Sequence, residues 1–107
     1  ILAEMRTLLE ENRFEEYSAR NRDFHTIIYN ASTNKPAVEL INIIKTQLNR
    51  YHLRTILVPG RNRESYREHE RVLQALKSRD PDEVEEAVKQ HIHSIRRVIE
   101  QNYQLLI

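Results

Sequence analysis

The chain contains no cysteine, only one glycine and three prolines among its 107 residues. Without cysteine there can be no disulfide and no thiolate ligand, so any bound metal must be held by nitrogen and oxygen donors. Few glycines and prolines, together with 39% hydrophobic and 31% charged residues, favour long helices over sheets or disorder. A chain of this length is expected to form one domain with a modest core.

The sequence also has no excess charge of one sign and no long apolar run. Seventeen basic residues against sixteen acidic ones leave a formal charge of +1, which is too even for a nucleic-acid-binding surface. The longest apolar run is a few residues, and no basic segment leads into a signal-like apolar stretch. We therefore expect a soluble, cytoplasmic protein. The first residue is Ile1 rather than Met, which predicts that the natural protein is longer.

Apolar residues recur at helical spacing and predict an all-α, antiparallel bundle of about five helices. The first helix is short and carries its apolar residues within 2–9. The second begins at Phe14 and stops before Pro36, because proline disfavours helical geometry in the residue before it. Asn34 can cap the third helix with Pro36 in its first turn. The apolar stripe of the third helix comprises Val38, Ile41, Ile44, Leu48 and Tyr51.

Residues 58–60 (Val-Pro-Gly) predict a loop before the fourth helix, which extends from about residue 63 to residue 77. Its inward face comprises Tyr66, His69, Val72, Leu73 and Leu76. The fifth helix has the clearest start, because Asp80 supplies a cap, Pro81 follows it, and Glu83 is placed for a capping box. This helix is predicted to continue to about Tyr103.

Three histidines lie on predicted inward faces of separate helices. His25, His69 and His91 each interrupt an apolar stripe, and Asn21 precedes His25 by one helical turn on the same face. Imidazoles repeated on inward faces are how a helical bundle builds a metal centre. One shared cation would satisfy all three rings, but hydrogen bonds between histidines, or from histidine to glutamate, could do the same.

The other two histidines are weaker candidates for a metal site. His93 is about 200° around the helix from His91, so the two side chains cannot face one centre, and we expect His93 to face outward. His52 lies in the basic stretch 50–54, where a solvated surface position is expected.

Three segments of the chain resemble a known family. Residues 21–34 (NRDFHTIIYNASTN) resemble its (D/N)xxFHxxIxxASxN signature, and residues 59–72 (PGRNRESYREHERV) resemble its PGRxxxSxxEHxxI segment. Residues 76–91 resemble its closing AIxxxD…AxxxxxxHI segment. In this order and spacing they look like the FCD effector domain of GntR-type transcription regulators, in the FadR-like branch.

The resemblance implies a helical sensor domain that binds a small metabolite, often a carboxylate. That event controls DNA binding by an N-terminal winged helix-turn-helix, which residues 1–107 do not contain. The family's domain usually has six or seven helices, so we expect this C-terminal effector-binding domain to be incomplete at its N-terminus. The resemblance also implies a homodimer.

The family's metal ligands carry over onto Asn21, His25, His69 and His91. Asparagine replaces the aspartate that is more common at the first position. Three imidazoles and an amide suit Zn²⁺ or Ni²⁺ better than Ca²⁺ or Mg²⁺. They leave the ion's charge uncompensated, so an anionic effector would complete the site.

Arginines are natural anchors for the carboxylate of such an effector, because the guanidinium donates two charge-assisted hydrogen bonds. The candidates are Arg50, Arg54 and Arg61, of which Arg61 belongs to the family signature and lies in the predicted loop. An exposed solubilising role is the alternative for each, and a structural contact is a further alternative for Arg61, which ranks below Arg50 and Arg54 as an effector anchor.

Two other functions remain open at this stage. A metalloenzyme could use a metal-bound water, but Glu68, the nearby carboxylate in sequence, is offset by about 100° from His69 and is expected to make a helix contact instead. No catalytic residue is therefore assigned. The other alternative is a metal-free helical interaction module whose histidines are hydrogen-bonded core residues.

Overall fold

Five helices and no strand make up the described part of the chain, in a computed structural model that covers the backbone of residues 1–55 and 58–106. Side chains are described for residues 1–47 and 58–102. The helices are α1 (Leu2–Glu10), α2 (Phe14–Asn30), α3 (Lys35–Thr55), α4 (Arg61–Lys77) and α5 (Pro81–Leu106). The predicted all-α helical bundle is confirmed.

Two helix starts are capped as the sequence predicts. The Asn34 Oδ1 atom accepts a hydrogen bond from the Ala37 backbone N–H at 3.2 Å, at the start of α3. The Asp80 Oδ1 atom accepts one from the Glu83 N–H at 3.1 Å, at the start of α5. Each cap satisfies a backbone donor that has no partner within its own helix.

Two helix ends differ from the prediction. Helix α4 begins at Arg61, two residues earlier than expected, because Gly60 adopts a left-handed conformation with φ of 80° and the helix starts directly after it. Helix α5 continues to Leu106, since no proline or glycine follows Asp82 to end it.

The main apolar core lies where α1 and α2 meet α4. Met5, Tyr17 and Phe24 are buried there and form what we call the apolar cluster. Partly buried residues pack around it: Leu2, Leu8, Leu9, Ile28 and Tyr66. Apolar burial of this kind supplies the main favourable term in folding.

Among the described residues, helix α3 packs against α2 and α5 less closely than α4 packs against α5. Ile44, predicted to face inward, is 46% exposed, and Leu40 and Ile43 are each 59% exposed. The exposure of Ile44 has a physical reason, because this residue lines a cavity between the helices. Leu48 and Tyr51 have side chains outside the described residues. Leu76, predicted to face inward on α4, is 40% exposed.

Within the described part of the chain, no helix has the length and apolar character that a membrane crossing requires.

Candidate metal and ligand site

The fold brings the three predicted histidines together. His25 comes from α2, His69 from the middle of α4 and His91 from α5, and we call them the histidine cluster. The His25 Nε2 atom lies 3.1 Å from His69 Nε2. The His69 Nε2 atom lies 3.3 Å from His91 Nε2. One ring nitrogen from each residue lies within 4.8 Å of the other two.

These separations fit a shared cation. Zn–N bonds of about 2.0–2.1 Å at tetrahedral angles place two nitrogen ligands about 3.3 Å apart. The two measured separations are 3.1 and 3.3 Å. His69 is fully buried, His91 is 5% exposed and His25 is half-buried, so the cluster opens to solvent mainly on the His25 side.

Hydrogen bonds between the rings cannot satisfy all three imidazole nitrogens of the histidine cluster well. A neutral imidazole nitrogen carries either one hydrogen or one lone pair, so it forms one well-directed hydrogen bond. The His69 Nε2 atom faces the Nε2 atoms of both His25 and His91. A cation among the rings would bind a lone pair from each, so the donor set fits a metal better than a chain of histidine hydrogen bonds.

Glu68 fixes the orientation of His91. The His91 Nδ1 atom lies 2.6 Å from Glu68 Oε1, and the Arg61 guanidinium donates to both oxygens of the same carboxylate at 3.1 Å. With its proton on Nδ1, a neutral His91 ring directs the lone pair of Nε2 toward the cluster. A carboxylate behind a histidine ligand is the usual way to set ring orientation and raise ligand basicity.

The carboxylate of Glu68 is held in its ionised form. Burial raises the pKa of Glu68, but the hydrogen bonds from His91 and Arg61, and the charge of Arg61, outweigh burial and lower this pKa to about 2. Sequence reasoning expected a helix contact for Glu68, and the residue does join α4 to α5. Its role behind His91 was missed, although a glutamate next to a candidate ligand could have suggested it.

The predicted effector arginines have different surroundings. The Arg61 side chain is only 6% exposed and also approaches Glu64 Oε1 at 3.3 Å. Arg61 also lines a cavity beside the histidine cluster. Its guanidinium already donates hydrogen bonds to carboxylates, so effector binding by Arg61 stays a prediction. The side chains of Arg50 and Arg54 lie outside the described residues, and so does that of His52. His93 is exposed, as predicted.

Asn21 lies one helical turn before His25 and is 6% exposed. It lines the same cavity as His25 and His91. Its burial and position agree with the predicted face of α2, and its role as a ligand stays a prediction.

A cavity of about 580 Å³ lies beside the histidine cluster, between α2, α3, α4 and α5. This volume falls in the range of small-molecule sites. The walls are mainly aliphatic and aromatic. The residues that line the cavity are Tyr17, Asn21, Arg22, Phe24, His25, Ile28, Tyr29, Ile41, Ile44, Lys45, Arg61, Asn62, Ser65, Val72, Val88, His91, Ile92, Ile95, Val98 and Ile99.

A comparison with protein families agrees with this picture. The family model of the FCD domain matches residues 1–94. The chain belongs to the FCD domain family. FCD domains are the ligand-binding domains of GntR-type transcription regulators. The match includes α1 as well as the three segments that carry the resemblance. The FadR-like branch stays a prediction. Neither the curated proteins nor the solved structures gave a match.

Proposed function

We propose that this FCD domain senses a small carboxylate metabolite through a divalent metal ion held by His25, His69 and His91, with Asn21 as a further ligand. The observation that carries the proposal is the convergence of three imidazole nitrogens within 4.8 Å of one another. Zn²⁺ or Ni²⁺ suits such nitrogen-rich donors. When bound, the ion supplies positive charge and open coordination positions for an anion.

The charge of the site supports an anionic ligand. The three imidazoles are neutral ligands, and the charge of Glu68 is already matched by Arg61. The ion's positive charge would therefore be uncompensated in a partly buried pocket, where electrostatic interactions are stronger than in water. A metabolite carboxylate in the adjoining cavity would supply the missing negative charge. Arg50, Arg54 and Arg61 remain the candidate anchors predicted from the sequence.

The same geometry argues against a hydrolytic enzyme. Catalysis by a metal-bound water ordinarily needs a general base near neutral pKa. Glu68, the carboxylate in contact with the cluster, has a pKa of about 2 and is hydrogen-bonded by His91 and Arg61. It is a poor proton acceptor in this state. A sensing function uses the same contacts to hold His91 in place.

In the regulator, ligand binding would control DNA binding by an N-terminal winged helix-turn-helix outside this chain, in a cytoplasmic homodimer. A ligand shifts a conformational equilibrium only by its difference in affinity for the two states. The cavity borders four helices, so a ligand that fills it can favour one packing of these helices over another.

Zinc binding tests the proposal directly. We expect the wild-type protein to bind one Zn²⁺ per chain in calorimetric titration and elemental analysis, and the His69→Ala variant to lose this binding. His93→Ala is the matched control, because His93 is an exposed histidine of α5. Equal zinc binding by wild type and His69→Ala would contradict the proposed metal centre.

Acid binding tests the sensing step. Calorimetry with acetate, succinate and citrate should give tighter binding to the zinc-loaded protein than to the protein after chelation. Equal affinities in the two samples would contradict a metal-bridged ligand and leave the zinc result untouched.

A further inference from the structure

Two cations at the wall of the cavity have no acidic partner among the residues whose side chains the structure describes. Arg22 and Lys45 both line it, and among the described residues no carboxylate pairs with either one. The described hydrogen bond of Arg22 goes to the Ser18 hydroxyl at 3.3 Å. Most other arginines of the described residues are paired with acids, including Arg13, Arg20 and Arg61. Within the described part of the chain, the cavity therefore has two positive groups without an acidic partner, besides the proposed metal.

Lys45 is held in an environment that disfavours its own charge. Its Nζ atom lies 5.0 Å from the centre of the Tyr29 ring. Burial lowers the pKa of Lys45, and the nearby charge of Arg22 lowers it further. A bound anion would relieve the repulsion between the two cations. Arginine and lysine near each other are a common combination for holding a carboxylate or a phosphate.

Tyr29 connects this cationic pair to the histidine cluster. Its ring stacks with that of His25 at a centroid distance of 6.1 Å, and the same ring contacts Lys45. Arg22 and His25 lie on the same side of α2, three residues apart. His25 and Lys45 therefore contact the same Tyr29 ring, and one small molecule could reach both of them.

The cavity wall between and around these regions is apolar. Ile41 and Ile44 come from α3, and Ile95 and Ile99 come from α5. No aspartate or glutamate is found among the described residues that line the cavity. An apolar stretch of ligand would be stabilised there by burial, whereas a short, fully hydrated acid would leave this wall uncovered.

We propose that the ligand is an elongated anion with two anionic ends and an apolar middle: one end faces the histidine cluster, and the other is bound by Lys45 and Arg22. The inference rests on the proposed function for the first end only. Its second end can be a carboxylate or a phosphate, because both are recognised by the same pair of cations.

Straight-chain diacids and monoacids of matched length test whether the ligand has two anionic ends. The zinc-loaded protein is titrated calorimetrically with the diacids from glutarate to suberate, with 6-phosphonohexanoate, and with the monoacids of equal carbon number. We expect affinity to pass through an optimum with chain length, where the diacid binds about tenfold or more tightly than its monoacid, the usual gain from a hydrogen bond to a charged group. Comparison of pimelate with 6-phosphonohexanoate, which both carry five methylenes between their anionic ends, shows which anionic end is preferred.

Substitution of Lys45 tests binding of the ligand's second anionic end independently of the end that faces the histidine cluster. Lys45→Met keeps most of the side-chain volume and should remove the tighter binding of the diacid relative to its monoacid, because the second anionic end loses the ammonium group that binds it. Arg22→Gln should act in the same direction. Lys89→Met is the control, since Lys89 is exposed and pairs with Glu85.

The outcomes distinguish this inference from the proposed function. Failure of the protein to bind zinc would overturn both. Zinc binding with equal affinities for diacids and monoacids, or with an undiminished diacid advantage in Lys45→Met, would overturn the two-ended ligand alone.

Discussion

The apolar cluster and the histidine cluster are neighbours with opposite chemistry. Phe24 belongs to the first and His25 to the second, although they are adjacent in sequence. The Phe24 ring also lies 4.8 Å from the His69 ring, centre to centre. Burial of Phe24 stabilises the fold, whereas burial of an imidazole has a cost unless a partner satisfies it. The apolar cluster therefore stabilises the folded state, whereas the histidine cluster lowers the stability of the fold unless a partner satisfies its rings.

Zinc bound at the histidine cluster should raise the free energy of unfolding of the protein. At free zinc a thousandfold above the dissociation constant, binding to the folded state alone raises the free energy of unfolding by about 4 kcal/mol. Urea unfolding with and without zinc measures this difference. The His69→Ala variant should show no zinc-dependent change, and the His93→Ala variant should keep it. A zinc effect in His69→Ala as large as in wild type would show that zinc stabilises the protein from outside the histidine cluster.

Truncation of a side chain in the apolar cluster should lower the stability of the protein without changing its affinity for zinc. Met5 is fully buried, and Met5→Ala is expected to lower the free energy of unfolding by about 3 kcal/mol through lost burial and a residual cavity. The zinc dissociation constant, measured by calorimetry where the variant is folded, should stay within about twofold of wild type because Met5 is not part of the histidine cluster. A large loss of zinc affinity would show that the two clusters are not separable.

Sequence reasoning identified the elements that local chemistry specifies. The caps at Asn34 and Asp80 follow from short side chains that accept backbone hydrogen bonds. The placement of His25, His69 and His91 on inward faces follows from helical periodicity, which is a strong signal in long amphipathic segments. These two kinds of information were enough to predict the bundle and the three histidines that meet.

What the sequence did not provide depends on how helices pack against each other. The contact of Glu68 with His91 joins residues 23 positions apart, and no periodic pattern within α4 indicates which residue of α5 lies opposite. The cavity beside Ile44 likewise arises from the spacing of α3 relative to α5. The sequence gives no signal that Lys45 and Arg22 contact a ligand, because only the fold places these ordinary charged residues beside the cavity with Tyr29.

Glu68 tests how the histidine cluster is held in place. Glu68→Gln should weaken zinc binding by about 10-fold to 100-fold, the usual effect of losing a carboxylate behind a histidine ligand. Calorimetric zinc titration measures it, and the ligand-field spectrum of the cobalt-substituted protein should change as His91 loses its orientation. Glu64→Gln is the control, since Glu64 contacts Arg61 but makes no described contact with His91. Similar losses in both variants would assign the effect to Arg61 rather than to His91.

Ionisation of Tyr17 should have the smallest effect on the free energy of unfolding. It tests whether water reaches the apolar cluster. The Tyr17 side chain is 1% exposed, and burial raises the pKa of its phenol to about 12, although the Ser65 hydroxyl and the charge of Arg61 partly oppose this. The phenol of an unfolded chain ionises near pH 10, so the stabilising contribution is fully present below that pH and is lost as pH rises from 10 towards 12. By pH 11 the free energy of unfolding should have fallen by about 1.4 kcal/mol from this group.

The Tyr17→Phe variant isolates that contribution, because other groups that ionise above pH 10 remain in both proteins. Urea unfolding of wild type and variant at pH 9 and pH 11 should show a steeper decline for wild type, by the amount that the buried phenol contributes. If the two proteins decline equally, Tyr17 ionises as readily in the folded state as in the unfolded one. The apolar cluster would then be open to water at its hydroxyl end, and the contrast with the histidine cluster would be weaker than the burial of the two regions indicates.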